Sequence, residues 1–258
     1  MRFTCLASGS EGNCILIESI QNNKTERLLV DCGINLVNLE KRLAERSVTL
    51  KQIDGVVITH EHGDHCKGVV SVVKKIEIPV FMTYGTFLAS SSFKRDLKPS
   101  FFSPHKKFNF LGFEIEPFPV PHDARETIAI IIKVGDGRLG VLTDTGMVTK
   151  HTLNVLKKVG ALVIEFNYDE NLLNESKYPE ALKKRISSNY GHLSNTSAFN
   201  LIRALESEYQ KVIVAAHLST NNNSESIVNS LLEKLSHESK VSTFIAGQSS
   251  GTPWIHVN

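Results

Sequence analysis

No apolar run in the 258 residues approaches the ~20 that cross a bilayer, so a membrane-spanning protein is not expected. The opening residues, MRFTCLASGS, lack the basic-then-apolar layout of a secretory signal. Cysteine is sparse: Cys5, Cys14, Cys32 and Cys66 form no CxxC pair, which points to a reduced, cytoplasmic setting. Charge of one sign is also missing. The net charge of +2 does not demand nucleic acid, although it permits a locally basic groove. Apolar residues at 41% and charged residues at 22% exclude wholesale disorder, collagen-like repetition and a coiled coil. There is no internal repeat, low-complexity tract or Pro/Gly/Ser-rich linker, and residues 1–258 are expected to form one domain. Nothing points to an obligate protein partner.

What is present divides into a β-rich half and a half of αβ units. RFTCLAS, NCILIES and ERLLVDCG are short apolar runs separated by SGSEGN and QNNKT, as in a meander of strands. A helix follows, capped by Asn35 and carrying Leu36, Leu39 and Leu43 on one face. DGVVITH is continuously apolar up to His60, as a strand buried on both faces would be. FFSPH, FNFLGFEIEPFPVPHD, TIAIIIKV and RLGVLTDTG read as further strands, with a hairpin at VGDGR in which Asp136-Gly137 suits positive φ. Beyond residue 147, helices alternate with the strands ALVIEF, KVIVAAH and VSTFIAG. One helix carries Leu153 and Leu156, another Ala198, Leu201, Ile202 and Leu205. A third is capped by Ser224 and carries Ile227, Val228, Leu231, Leu232 and Leu235. The expected class is α/β (α+β): two mixed sheets with helices outside.

The chemistry concentrates in VVITHEHGDHC, where His60, His62, Asp64 and His65 lie within six residues just after a buried strand. Imidazole and carboxylate are ligands for Zn²⁺ and other borderline divalent ions. His60 and His62, two apart, share one face of an extended segment, and Asp64 and His65 on the turn beyond can serve a second ion. His122, Asp144 and His217 each end an apolar run, the position where open sheets gather functional side chains. Together these seven residues suffice for two His/carboxylate metal sites with one carboxylate between them. Irving–Williams order favours zinc, with Mn²⁺ and Fe²⁺ as alternatives.

This order of motifs, HxHxDH, a later His, a TDTG-type Asp and a final His after an apolar strand, resembles the metallo-β-lactamase superfamily. The resemblance runs from LASGSEGN to the last strand. It implies an αββα sandwich with a dinuclear site at one edge. It places His60, His62 and His122 on one metal, Asp64, His65 and His217 on the other, and Asp144 between them. The motif marks the superfamily and says little about substrate. A metal pair there would acidify a shared water, and with the exonuclease-type branch described next the expected reaction is phosphodiester hydrolysis, with Asp64 in the catalytic set. His62 stands where the oxygen-reducing diiron branch has Glu. The 73 residues from Asp144 to His217 (217 − 144) leave no room for the extra domain of β-CASP nucleases. Some 41 residues after His217 (258 − 217) are few for the helical region of glyoxalase-like members.

LASGSEGN, LLVDCG, LVIEFNYDENLL, YPEALKKRISSNYGHLSN and AHLSTNNN in this order resemble the short DNA-exonuclease branch, the YycJ/WalJ-type metallo-hydrolases, regarded as 5′-to-3′ exonucleases. The implied partner is DNA. Alternatives are a small-substrate hydrolase (cyclic phosphodiester, lactone or thioester) and an RNA-processing nuclease. Where relatives often carry Asn-His-Asp, this chain has Asn167-Tyr168-Asp169. His192, in GHLSN, stands where the tRNA 3′-end endonuclease has a similar His. Carried over, it would contact the scissile phosphate or donate a proton to the leaving oxygen, with Ser194 or Asn195 capping the helix that follows. Ser8, Ser10 and Asn13 of SGSEGN are candidates for binding a nucleotide phosphate. In the basic run Lys183-Lys184-Arg185, Lys183 and Arg185 are candidates for the nucleic-acid backbone. Glu165 is a candidate for orienting His192 or a ligand His. Cys32 and Cys66 read as packed thiols.

Overall fold

The computed structural model describes residues 1–21, 23–205 and 209–257. Its strands form two seven-stranded sheets. The first holds β1 (Arg2–Ala7), β2 (Cys14–Gln21), β3 (Lys24–Val30), β4 (Gly55–Val57), β5 (Val80–Met82) and β6 (Ser100–Phe101), with β14 (Ile255–His256) pairing onto β1. The second holds β7 (Phe108–Phe110), β8 (Phe113–Pro119), β9 (Ile128–Val134), β10 (Gly137–Leu142), β11 (Ala161–Glu165), β12 (Val212–Ala216) and β13 (Ser242–Ile245), in that spatial order.

Period-two alternation sorts the strand residues into three layers. Phe3, Cys5, Ile15, Ile17, Leu28 and Val30 of the first sheet face Ile128, Ile130, Ile132, Val141, Val163 and Val214 of the second. The intervening residues face outward and are covered by helices. Leu16, Leu29, Val56 and Ile58 pack under α1 (Leu36–Ala44), α3 (Val69–Ile76) and α5 (Ser91–Asp96), where Leu39, Leu43, Val69, Val72 and Phe93 close the layer. Between these helices lie α2 (Gly63–Cys66) and α4 (Tyr84–Ala89). Ile131, Leu142, Leu162, Ile164 and Ile213 of the second sheet pack under α6 (Lys150–Leu156), α9 (Asn195–Leu205) and α10 (Glu225–Ser239). The short α7 (Glu170–Glu175) and α8 (Glu180–Ile186) lie between β11 and α9. Burial on both faces is why the strands read as nearly unbroken apolar runs.

Several boundaries differ from the expectation. β4 ends at Val57, because Ile58 and Thr59 already belong to the turn that leads into the histidine cluster. FNFLGFEIEPFP is a hairpin of β7 and β8 and not one strand: Leu111 adopts φ 50 at the turn. In the VGDGR hairpin the positive φ of 57 is carried by Gly135, one step ahead of the expected Asp136-Gly137, because the two-residue loop comprises Gly135 and Asp136. FFSPH contributes only Phe101, the last residue of the two-residue β6. The helices between residues 63 and 96 were not legible, being short and interrupted by caps at Thr83 and Ser90. No helix among the described residues is long and apolar enough to cross a membrane.

Strands β3, β4, β5 and β6 run parallel, as do β10, β11, β12 and β13. Their C-terminal ends therefore open onto a common rim of each sheet, and the polar clusters sit there. Ile130, fully buried between the sheets, tests the packing. Ile130→Ala should cost about 2–5 kcal/mol, read as a lower denaturant midpoint in urea unfolding.

Candidate metal centre

Each cluster residue stands just past a strand end. His60 and His62 follow β4, and His62 is the N-cap residue of α2, whose first turn carries Asp64 and His65. His122 follows β8, Asp144 follows β10 and His217 follows β12. The turn after β4 is laced from below. Asn13 N–H donates to the Asp64 carbonyl at 2.7 Å, Cys32 N–H to the His65 carbonyl at 2.8 Å, and Gly33 N–H to the Asn13 carbonyl at 2.8 Å. On the other sheet, His217 N–H donates to Ser8 Oγ at 2.7 Å, and Gly146 N–H to the Pro121 carbonyl at 2.9 Å. Eight described non-glycine residues have positive φ, and three of them, Asp31, Asp144 and His217, stand at this rim. Left-handed backbone costs about 1–3 kcal/mol per residue and persists where surroundings enforce it.

The side chains of the seven fall into two adjacent groups that share no residue. Donor atoms of His60, His62 and His122 lie within 4.8 Å of one another, as do those of Asp64, His65, Asp144 and His217. All seven residues expected as ligands are thus brought together. His60, His65, His122, Asp144 and His217 are buried, while His62 and Asp64 are partly open to the cleft. The rings of His60 and His65 have centroids 4.2 Å apart and those of His65 and His217 5.6 Å apart. Partners behind the rings fix which nitrogen faces inward. His60 Nδ1 meets Thr59 Oγ1 at 3.0 Å, His65 Nδ1 meets Asp31 Oδ2 at 2.8 Å, and His122 Nδ1 meets the Gly191 carbonyl at 2.9 Å. His217 Nδ1 meets Glu165 Oε2 at 3.4 Å. In each case Nε2 is left for the centre.

Two observations test whether these residues fit a cation. His60 Nε2 is buried with no hydrogen-bond partner. Such an orphan is costly unless something binds it. Asp144 Oδ2 lies 3.0 Å from His65 Nε2, and Asp64 Oδ2 lies 3.2 Å from His217 Nε2, so lone-pair donors converge from several sides. Nitrogen and carboxylate donors in this number fit two divalent cations.

The electrostatics differ between the two groups. Burial holds the His60 imidazole well below its usual pKa, with the charge of His65 adding to the effect, and burial likewise lowers His122. Burial would lower His65 as well, but the carboxylates of Asp144 and Asp31 outweigh it and hold it well above the usual value. For His217 the same contest, won by Asp144, Asp64 and Glu165, pushes it up to about 10. Burial opposes ionisation of Asp64, yet hydrogen bonds from His217 and His65 keep its carboxyl below the usual range.

The remaining expected residues separate by place. Ser8 and Asn13 are buried behind the cluster. Asn13 Oδ1 accepts from Gly9 N–H at 2.9 Å, and its Nδ2 lies 3.1 Å from His65 Nε2. Ser10 lines the cleft, whose volume is about 370 Å³. Arg185 also lines it and pairs with Asp123, whereas Lys183 points back to the Asn174 carbonyl at 2.7 Å. His192 lines the cleft with its Nδ1 3.0 Å from Glu165 Oε2. Glu165, fully buried, also accepts from Thr145 N–H at 2.7 Å and Leu193 N–H at 3.2 Å. Burial would raise its carboxyl, but the neighbouring His192 keeps it below the ordinary value. Ser194 caps α9, accepting from Ser197 N–H at 3.1 Å. Cys32 and Cys66 are buried, and burial pushes the Cys66 thiol up to about 12.

The sequence reading missed the outer partners: Asp31, Thr59, Asn167 and the Gly191 carbonyl. A signal existed for Asp31, since DCG directly follows a buried strand. For a carbonyl there was none.

Two outcomes follow. The carboxylates around His65 and His217 favour their protonated forms, so a cation binding there competes with protons. Affinity at the Asp64/His65/Asp144/His217 group should fall as pH drops from 8 to 6, by up to about tenfold per unit per proton. Titration calorimetry with Zn²⁺ in buffers of different ionisation enthalpy should register proton release, and its absence would refute the assignment. Second, a Cβ on Gly33 would overlap the Asp64 carbonyl. Gly33→Ala should therefore lower bound-metal stoichiometry, measured by elemental analysis, while the protein stays folded.

A family profile described as Beta-lactamase superfamily domain matches residues 26–217. An exodeoxyribonuclease YycJ of Bacillus anthracis is 31% identical over 226 residues, covering 86% of this chain and 84% of its own. An exodeoxyribonuclease WalJ of Streptococcus pneumoniae is 32% identical over 228 residues, covering 86% and 83%. Among solved structures, the metallo-β-lactamase fold protein YhfI of Bacillus subtilis superposes with a TM-score of 0.72 at 16% identity, covering 97% of this chain and 98% of that one. The short form of human tRNase Z superposes with a TM-score of 0.62 at 16% identity, covering 85% and 93%. With its two-sheet architecture and its histidine–aspartate rim, the chain belongs to the metallo-β-lactamase superfamily of hydrolases.

Proposed function

We propose that the protein is a metal-dependent exodeoxyribonuclease that shortens DNA from its 5′ end. The observation that carries this reading is the Glu165–His192 pair, held at 3.0 Å beside the metal-ligand cluster and facing the same cleft. His60, His62 and His122 would hold one divalent cation and Asp64, His65 and His217 the other, with Asp144 shared. The donor set suits zinc, manganese or iron(II). Cations bound there supply Lewis acidity toward a phosphoryl oxygen and an acidified water.

The protein's own groups supply the rest. Glu165 engages His192 Nδ1, which fixes the ring and leaves Nε2 as the nitrogen that exchanges a proton with the leaving oxygen. Thr145 and Leu193 N–H groups hold the carboxylate itself in place. Arg185 at the cleft supplies positive charge for a phosphate beyond the scissile one. Ser10 offers a hydroxyl at the same cleft. The relatives named exodeoxyribonucleases support DNA as the substrate class and chain ends as the point of attack.

The experiment is digestion of end-labelled linear DNA, with and without a 5′-phosphate, in Mn²⁺, Zn²⁺ or chelator. Stepwise shortening from the 5′ end in metal, and none in chelator, is expected. Asp64→Ala should reduce the rate at least about 100-fold, and His192→Ala by about 10²–10⁴. An intact label in every metal, with cleavage of a lactone, cyclic phosphodiester or RNA instead, would overturn the reading.

A further inference from the structure

The rim that carries the cluster continues along the first sheet into an aromatic and basic surface. Tyr84 and Phe101 are 57% and 50% exposed and lie side by side. Their centroids lie 5.3 Å apart, and Phe87 supports Phe101 at 5.2 Å. Tyr84 opens α4 just past the C-terminal end of β5, and Phe101 is the last residue of β6. Because β4, β5 and β6 are parallel neighbours spaced about 5 Å apart, both rings lie on the edge where β4 delivers His60 and His62.

A loop links the two places. It starts at His122, and Arg125 N–H donates to Glu61 Oε1 at 2.8 Å, between the two histidines of the β4 turn. The next residue, Glu126, accepts from Gly85 N–H at 2.7 Å, beside Tyr84. Arg125, Lys98 and Lys106 are exposed, and their side chains make no ion pair among the described residues. Arg125 lies between the cluster and the rings. Lys106 follows Phe101 by five residues, past the rim end of β6, whereas Lys98 precedes the strand and stands toward its other end.

We propose that Tyr84 and Phe101 form a stacking platform for bases of a single DNA strand whose scissile phosphodiester lies at the metal centre, with Arg125 and Lys106 against its phosphates. Ring faces accept any base, and cations track the backbone, so the surface suits a strand held without regard to sequence. An apolar partner would leave Arg125 and Lys106 unmatched, whereas a polyphosphate backbone complements them. The inference rests on the exonuclease reading above and adds a place for the strand beyond the cleft.

The test compares the metal-loaded wild type with Tyr84→Ala/Phe101→Ala and, separately, Lys106→Glu. Affinity is read by fluorescence anisotropy for a dinucleotide and for a single strand of about 16 nucleotides. Turnover of bis(p-nitrophenyl) phosphate serves as the basal readout. The double variant should bind the long strand about tenfold more weakly, with dinucleotide affinity and small-diester turnover unchanged. Lys106→Glu should weaken long-strand binding and flatten its salt dependence, which keeps the test decisive if the double variant fails to fold. Equal long-strand affinity in wild type and folded variants would overturn the platform while leaving the exonuclease reading intact. So would a dimer, seen by sedimentation, that the double substitution dissolves, since the rings would then belong to a second copy. A wild type that neither binds nor cuts DNA would overturn both.

Discussion

The buried carboxylate of Asp31 is the contact on which the rim depends. It accepts from Thr59 N–H at 2.8 Å, from Thr59 Oγ1 at 2.9 Å and from His65 Nδ1 at 2.8 Å. These donors come from the turn after β4 and from α2, while Asp31 itself directly follows β3. One side chain thus fastens two strand ends and a ligand-bearing helix to each other. A buried charge of this kind is tolerable only when fully partnered, and full partnering is what makes the geometry unique. The arrangement also reaches His60, because Thr59 Oγ1 donates to Asp31 and accepts from His60 Nδ1.

The second sheet repeats the device. Glu165, at the end of β11, accepts from two backbone N–H groups and touches both His192 and His217. Each sheet therefore contributes one buried carboxylate that sets the tautomer and aim of rings at the cleft. Asp144 lies between, 3.0 Å from His65 of one half and 3.5 Å from His217 of the other. The sandwich serves the site by bringing two independently braced halves edge to edge. Its apolar middle layer holds them there, since the same strands that end in ligands carry Val57, Val141 and Ala216 in the core.

This division explains the asymmetry of charge. In the three-histidine group, burial holds His60 and His122 toward the neutral form, ready to donate lone pairs. The other group surrounds its histidines with carboxylates and stores protons on them. Acid therefore competes with a cation more strongly at one group than at the other, although both use the same residue types.

The sequence alone determined the strand runs, the helices with clear 3.6-residue stripes such as those of Leu39 and Leu43 or Val228 and Leu232, and all seven residues of the cluster. It did so because ligands follow apolar runs, and because His60, His62, Asp64 and His65 are local neighbours whose grouping needs no fold to be seen. Tertiary structure alone decided how Ser8, Asn13 and Lys183 are used. A turn residue reads the same whether it faces a cleft or braces a buried histidine, and only the packing of β1 against the end of β12 put Ser8 behind His217. It alone revealed Asp31, Thr59 and the Gly191 carbonyl as partners, because hydrogen bonds across 28, 34 and 69 residues leave no local pattern. It alone set Tyr84 beside Phe101, since parallel pairing of β5 with β6 joins segments that periodicity cannot connect.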